Sequence, residues 1–219
     1  MIAEPLARSE LAVDVLVAAH RLLGCIIEAD TPDGTVAVRI VEVEAYRGAD
    51  DPASHCYRGR TPRNAVMWGP AGYLYTYFVY GMHFCANVVC LTEGMPGAVL
   101  LRAGEVVSDA GVAHVRRPTA RRDKDLASGP ARMAALLGLD RESNGIDLTD
   151  PASPVRLLAG PPLPVSSIRS GPRVGVSTAT TRPWRFWVDG SPAVSAYRAA
   201  VVRPRRNAVA TVRNDPGCE

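Results

Sequence analysis

Lysine is nearly missing from this chain: Lys124 is the only one, so 24 of the 25 basic residues are arginine. A reaction running through a Schiff base needs an amine of depressed pKa, and burial is a common way to depress it. Lys124 stands in the charged run Arg121-Arg122-Asp123-Lys124-Asp125, a solvated context that offers no such burial. Cysteine is sparse and wrongly spaced. The five (Cys25, Cys56, Cys85, Cys90, Cys218) are odd in number and never form C-x-x-C, which argues against a disulfide framework and a structural zinc site and for a reducing compartment. His83-Phe84-Cys85 and His55-Cys56 read as incidental neighbours rather than metal ligands. The N-terminus has no basic leader, and its apolar run is broken by Asp14, His20 and Arg21, so neither a signal peptide nor a membrane span is expected.

What is present describes a soluble globular protein, 47% hydrophobic and 21% charged, whose 219 residues suffice for one large domain or two small ones with a proper core. The net charge of +3 is unevenly spread. Residues 1–55 carry ten acids against four arginines; residues 151–219 carry ten arginines against Asp189, Asp215 and Glu219. An arginine-rich half suits a polyanion, although a solvated arginine surface in a lysine-poor chain would look the same.

β-Branched residues alternate from Val36, and a period of two puts Val36, Val38, Ile40, Glu42, Glu44 and Tyr46 on one face of a strand. Two carboxylates then continue an apolar stripe, where loss of hydration demands a partner, a raised pKa or a task. The bland alternative is a bulge that turns the strand and leaves both glutamates in water. Upstream, the spacing of Leu11, Val15, Ala18 or Ala19, and Leu22 predicts one helix capped by Ser9 and closed near Gly24. Cys25 to Asp30 then pairs with the glutamate strand through Thr31-Pro32-Asp33-Gly34. The long loop from Arg47 to Met67 holds His55, Arg60, Thr61 and Arg63, a content suited to phosphate contact; a solvated loop histidine is the plainer account of His55. Tyr73, Tyr75 and Tyr77 fall on one face of a strand, Tyr80-Gly81 turns, and His83 to Cys90 returns as an apolar strand. Cross-strand aromatics commonly just stabilise sheets, but a tyrosine at a hairpin tip gains little burial and makes sense as a wedge. Leu126 to Leu137 is expected to be a helix entered through Gly129-Pro130 and ended by Gly138. Val155 to Leu158 and Val174 to Val176 read as strands, and Trp184, Phe186 and Trp187 as core.

The runs Val41-Glu42-Val43-Glu44-Ala45-Tyr46, His55, Thr61-Pro62-Arg63-Asn64, Leu74 to Asn87 and Val99-Leu100-Leu101-Arg102 resemble the alkyladenine (3-methyladenine) DNA glycosylase family in order and spacing, with a slightly longer insertion between Asn87 and Arg102. The likeness continues through Leu126-Ala127-Ser128-Gly129-Pro130, Arg173-Val174-Gly175-Val176 and Arg185 to Pro192, and spans roughly Leu6 to Arg198. Several blocks in one order are far more specific than a lone motif.

The resemblance implies a mixed α/β (α+β) single domain over residues 1–200. Its curved, largely antiparallel sheet is flanked by helices, and a protruding β-hairpin enters the DNA minor groove; residues 201–219 would be a disordered basic tail. It implies that Glu44 is the general base for the attacking water and that Arg102 helps hold that water. Tyr46, His55 and Tyr77 would line the pocket and stack on a flipped base, Tyr80 would fill the vacated space, and Asn87 would refuse the exocyclic amino group of guanine. Arg60, Thr61 and Arg63 would meet the DNA backbone. No cofactor or metal is implied. The partner would be duplex DNA carrying damaged purines, and the protein a cytoplasmic, nucleoid-associated monomer without membrane contact. With Lys124 solvated, the reaction would stop at an abasic site, the N-terminal amine being the other candidate for a Schiff base. Val43, Arg47, Cys56 and Ala193 depart from the residues expected there; Arg47 and Cys56 flank pocket positions, which puts the lesion spectrum in question. The rivals are a noncatalytic nucleic-acid binder and a hydrolase of free nucleosides.

Overall fold

The structure, a computed structural model, describes residues 4–79 and 81–200; the expectations for Tyr80 and for the tail 201–219 lie outside the described residues. Thr31-Pro32-Asp33-Gly34 does reverse the chain. Gly34 takes φ 125°, a conformation open to glycine, and β1 (Ile26–Thr31) pairs antiparallel with the first half of β2 (Gly34–Tyr46). Along its other edge β2 pairs with β5 (Ala98–Val106), which neighbours β4 (His83–Val89), itself paired with β3 (Leu74–Val79). Beyond β1 lies β6 (Val155–Leu158). Where β1 ends, β8 (Arg185–Val188) takes over the free edge of β2 opposite Glu42–Glu44, and β7 (Ile168–Gly171) pairs with β8. Every pairing is antiparallel. The result is a curled sheet of order β3-β4-β5-β2-β1-β6 that forks at β2.

The bulge and the buried carboxylates coexist. Opposite β5 the register runs Ile40 to Gly104, Glu42 to Ala103 and Val43 to Leu101, so Val41 is the extra residue on β2 and Arg102 the extra residue on β5. A one-residue slip moves every later side chain to the other face unless a bulge absorbs it. Val36, Val38 and Ile40 therefore share the main core with Val43 and Ala45, and Glu42, Glu44 and Tyr46 occupy the opposite face. That corrects the single continuous face expected from alternation. Both glutamates are nonetheless wholly buried, so the solvated alternative fails too.

The main core lies under four short helices: α1 (Arg8–Leu11), α2 (Val15–Leu22), α3 (Ala110–Arg116) and α4 (Pro130–Leu137). Fully buried side chains such as Leu11, Leu22, Ile27, Ile40, Leu74, Leu101 and Leu136 each contribute about 1.5–3 kcal/mol by leaving water. The single helix expected from Ser9 is two. Ser9 lies inside α1, the chain breaks at Ala12–Asp14, and Asp14 caps α2 by accepting from the Leu16 N–H at 2.9 Å. α4 ends where expected, with Gly138 left-handed at φ 72°, but it begins at Pro130 rather than Leu126: Ser128 bridges Ala103 and Gly129 takes φ 123°, which keeps Leu126 to Gly129 out of the helix. Val174 to Val176 is not a strand: Gly175 at φ 70° turns it into a loop across the polar face of the sheet. Trp184 and Phe186 do pack on the core, whereas Trp187 faces the other way beneath Arg185.

The β3–β4 hairpin outruns the sheet. Its strands stay paired from Leu74 opposite Val88 to Val79 opposite His83, while β4 pairs with β5 only from Asn87 to Val89. Near its end Phe78 and Met82 are 45% and 69% exposed. Among the described residues no helix is long and apolar enough to cross a membrane.

Candidate active site

Register places the site. Tyr75 lies opposite Asn87, Asn87 opposite Leu100 and Leu100 opposite Glu44, one row across four strands on the face away from the helices. Tyr77, Cys85 and Arg102 on one side of this row, and Tyr46 on the other, extend the patch into the floor of a cavity of about 650 Å³, within the usual range for ligand sites. Its walls are the segment carrying Pro52 to His55, the loop Val174 to Thr178, and Pro130 and Ala131 at the start of α4.

Glu44 is wholly buried at the foot of this cavity. Its Oε1 accepts the Val174 N–H at 2.7 Å and lies 3.3 Å from Nη1 of Arg102; its Oε2 accepts the Tyr46 hydroxyl at 2.8 Å. A carboxylate has about four acceptor positions, and among the described residues Oε2 has no hydrogen-bond partner besides Tyr46. Glu42 differs. Arg102 Nε, Arg185 Nε and Ser195 Oγ converge on its Oε1 at 3.0, 2.7 and 2.9 Å, and the Ser195 N–H donates to Oε2 at 2.7 Å. Glu42 does not line the cavity; it anchors Arg102. Burial alone would lower the Arg102 pKa, but Glu44 and Glu42 together outweigh it and hold the guanidinium charged.

The aromatic walls are neutral. Burial, then the neighbouring Glu44 carboxylate, pushes the Tyr46 phenol well above its ordinary range, so it remains a donor. Tyr75 is pushed up to about 12 and Tyr77 higher still, again chiefly by burial. Tyr75 and Tyr77 stack at 5.7 Å with an interplanar angle of 28°, and His55 stands edge-on to Tyr77 at 4.5 Å. His55 Nδ1 shares a hydrogen bond with the Tyr75 hydroxyl at 3.0 Å. Although His55 is exposed as a residue at the mouth, packing of its ring, then the charge of Arg63, lowers its pKa and favours neutral imidazole. Asn87 is buried and donates through Nδ2 to the Tyr75 carbonyl at 3.0 Å, which fixes its amide in the row.

Thus Glu44, Tyr46, His55, Tyr77, Asn87 and Arg102 all meet in one cavity. Arg60, Thr61 and Arg63 lie outside it, exposed on the loop after His55; Arg63 sits 5.8 Å from the Tyr77 ring. Within that loop Asn64 matters most: its Oδ1 accepts the Thr61 N–H at 2.7 Å while its Nδ2 holds the carbonyls of His55 and Gly59. Of the departures, Arg47 turns away to pair with Asp14, and Cys56 is buried against Met67; neither lines the cavity. Ala193 fills a small cluster with Val41 and Ala103.

Sequence reasoning missed the supporting pair Asp51–Arg173. Both side chains are wholly buried, joined at 2.5 and 2.7 Å. Arg173 also donates to the Ala45 carbonyl at 2.9 Å and lies 4.6 Å behind the Tyr46 ring. It immediately precedes Val174, whose N–H is on Glu44. The only signal was an arginine conspicuous in an otherwise apolar run.

A methylpurine-DNA glycosylase family profile matches residues 9–192. The chain is 56% identical over 209 residues (93% of this chain, 95% of the relative) to a Nocardia farcinica protein named "Putative 3-methyladenine DNA glycosylase". Proteins of the same name from Streptomyces avermitilis and Mycobacterium tuberculosis are 52% and 50% identical, each over 204 residues, covering 92% and 91% of this chain and 96% and 97% of the relatives. With a profile match over most of its length and relatives this similar end to end, the chain belongs to the methylpurine-DNA glycosylase family of DNA repair enzymes.

Proposed function

We propose that this enzyme takes alkylated or deaminated purines, of the 3-methyladenine, ethenoadenine and hypoxanthine class, out of duplex DNA and hydrolyses their N-glycosidic bond with a Glu44-activated water, leaving an abasic site. The observation that carries the mechanism is Glu44 at the foot of a cavity walled by neutral aromatics, with Tyr46 the one hydrogen-bond partner of its Oε2 among the described residues. A base inside a duplex is out of reach of such a carboxylate, so the nucleotide must be flipped.

Stacking on Tyr46, His55 and Tyr77 is worth about 1–3 kcal/mol per base and favours electron-poor, alkylated rings. As the bond from C1′ to the purine nitrogen breaks, its electron pair leaves with the base and the sugar gains oxocarbenium character. The water oxygen bonds to C1′, its proton passes to Glu44, and the negative charge of Glu44 offsets the developing positive charge. Tyr46, Val174 and Arg102 orient the carboxylate, and Arg102 helps hold the water. Asn87, fixed by Tyr75, occupies the place of a guanine 2-amino group. Tyr80 is the wedge that fills the gap, and the projecting hairpin with exposed Phe78 and Met82 supports its entry into the minor groove. Arg60, Thr61 and Arg63 meet backbone phosphates beside the cavity mouth. The protein acts as a monomer in the cytoplasm.

The test is base release from duplexes carrying each lesion, by the parent and by Glu44→Gln. The amide keeps volume and loses basicity, so single-turnover release should fall by at least about 10²-fold while lesion binding stays within about tenfold. A parent that binds but releases nothing would favour a noncatalytic binder instead.

A further inference from the structure

On the far side of the first turn of α4 lies a second polar cleft of about 600 Å³, and four arginines line it: Arg117, Arg121, Arg122 and Arg132. Its one acid, Asp125, is already taken. Arg122 holds it through Nε and Nη2 at 2.8 and 3.2 Å. Among the described residues Arg117, Arg121 and Arg132 have no carboxylate within ion-pair distance, in contrast to Arg156, Arg169, Arg173 and Arg185. Arg117 has its Nε buried without any hydrogen-bond partner among the described residues. Burial, then the charge of Arg132, depresses its pKa, which marks two guanidinium groups held close together at a cost. Uncompensated like charges around a concave, polar surface focus a positive potential, and guanidinium forks match the geometry of phosphate oxygens.

We propose that this arginine cleft is a second DNA-contact site that binds a backbone phosphodiester of the same duplex whose damaged nucleotide occupies the catalytic cavity. The proposal rests on the glycosylase reading above. Its position supports the choice of partner: Ala131 lines the catalytic cavity and Arg132, the next residue, lines the cleft, so the two meet across one helical turn. A strand leaving the cavity mouth over α4 meets the cleft within its own backbone. Arg132 also donates to the Ser128 carbonyl at 3.3 Å, which holds its stem at that turn. The cleft offers no aromatic face, so it grips charge and carries no base preference.

The experiment compares the parent with Arg121→Ala/Arg132→Ala, both exposed side chains whose loss leaves the core intact. Binding to a short lesion duplex is measured against salt, with methylphosphonate linkages placed singly around the lesion. Each lost phosphate contact should flatten the slope of log K against log salt by about 0.9 and weaken low-salt binding by roughly tenfold. One methylphosphonate position should weaken the parent and leave the variant indifferent. Single-turnover excision at saturating protein should stay within about twofold of the parent. An unchanged slope and affinity, or the same methylphosphonate profile in both proteins, overturns the cleft; so does a loss traced to unfolding by a fall in melting temperature. A parent that excises no lesion would instead defeat the glycosylase reading, whatever the slopes show.

Discussion

Removing Asp51 should separate what holds the site together from what makes it work. Asp51→Ala leaves the Arg173 guanidinium dry and, among the described residues, with only the Ala45 carbonyl at 2.9 Å as a hydrogen-bond partner. Breaking one side of a buried pair costs about 3–5 kcal/mol, because the survivor's charge is uncompensated. That is a large share of a native stability of about 5–15 kcal/mol. At about 2–4 °C per kcal/mol for a domain of this size, the melting temperature should fall by roughly 6–20 °C. Replacing both partners, Asp51→Leu with Arg173→Met, removes the stranded charge and should recover most of the loss. The double variant nevertheless lacks the cation behind Tyr46 and the anchor of the Val174 loop, so single-turnover excision should remain at least about tenfold slow with lesion affinity little changed. Calorimetry and a single-turnover assay on the three proteins suffice. A fall under about 2 °C for Asp51→Ala would mean the pair is wet; full activity in the double variant would refute any positioning role for Arg173.

Asn87→Ser should give measurable release of undamaged or mismatched guanine, read by gel against the parent; none would deny Asn87 its steric role. Tyr80→Ser should slow excision most for lesions in stable pairs and least in mismatches or single strands, and weaken the fluorescence change of an unstacked ethenoadenine. Equal slowing on all substrates would place Tyr80 elsewhere in the reaction. The lowered pKa of His55 has a sign: its contribution is complete above about pH 6.5, and as pH falls towards the lowered native value the unfolded chain takes the proton first. The stability advantage of the parent over His55→Gln should therefore shrink between pH 7 and pH 5, as thermal melts across that range would register.

Elements fixed by local chemistry were legible before any coordinates. Asp33-Gly34 sets the first hairpin, Gly129-Pro130 and Gly138 bound α4, and β6 is legible in the short run Val155 to Leu158, apolar but for Arg156. The six cavity residues were named through resemblance, and register brings them together. A bulge in this strand is weighed from sequence only as a device that leaves both glutamates in water; its place at Val41 is hidden, because Val-Glu-Val-Glu alternates perfectly while the backbone does not, and the extra residue Arg102 on β5 restores the register. The helix break before Asp14 hides in the same way under a sound helical period. The partners of the buried charges were beyond reach, since Asp51 meets Arg173 across 122 residues, and Glu42 meets Arg185 and Ser195 across 143 and 153.

The buried thiols bear on the conditions under which this enzyme works. Cys25, Cys56, Cys85 and Cys90 are all free and buried, and burial raises the pKa of each, Cys56 to about 11. The thiolate is the nucleophile, and these groups stay protonated and sheltered at neutral pH. Electrophiles that methylate purines also attack exposed thiolates. A repair enzyme is most needed while such reagents are present in the cell, and these four cysteines, even Cys85 at the cavity floor, give them little to attack. Among the described residues, then, no cysteine is left open to the reagents that methylate purines.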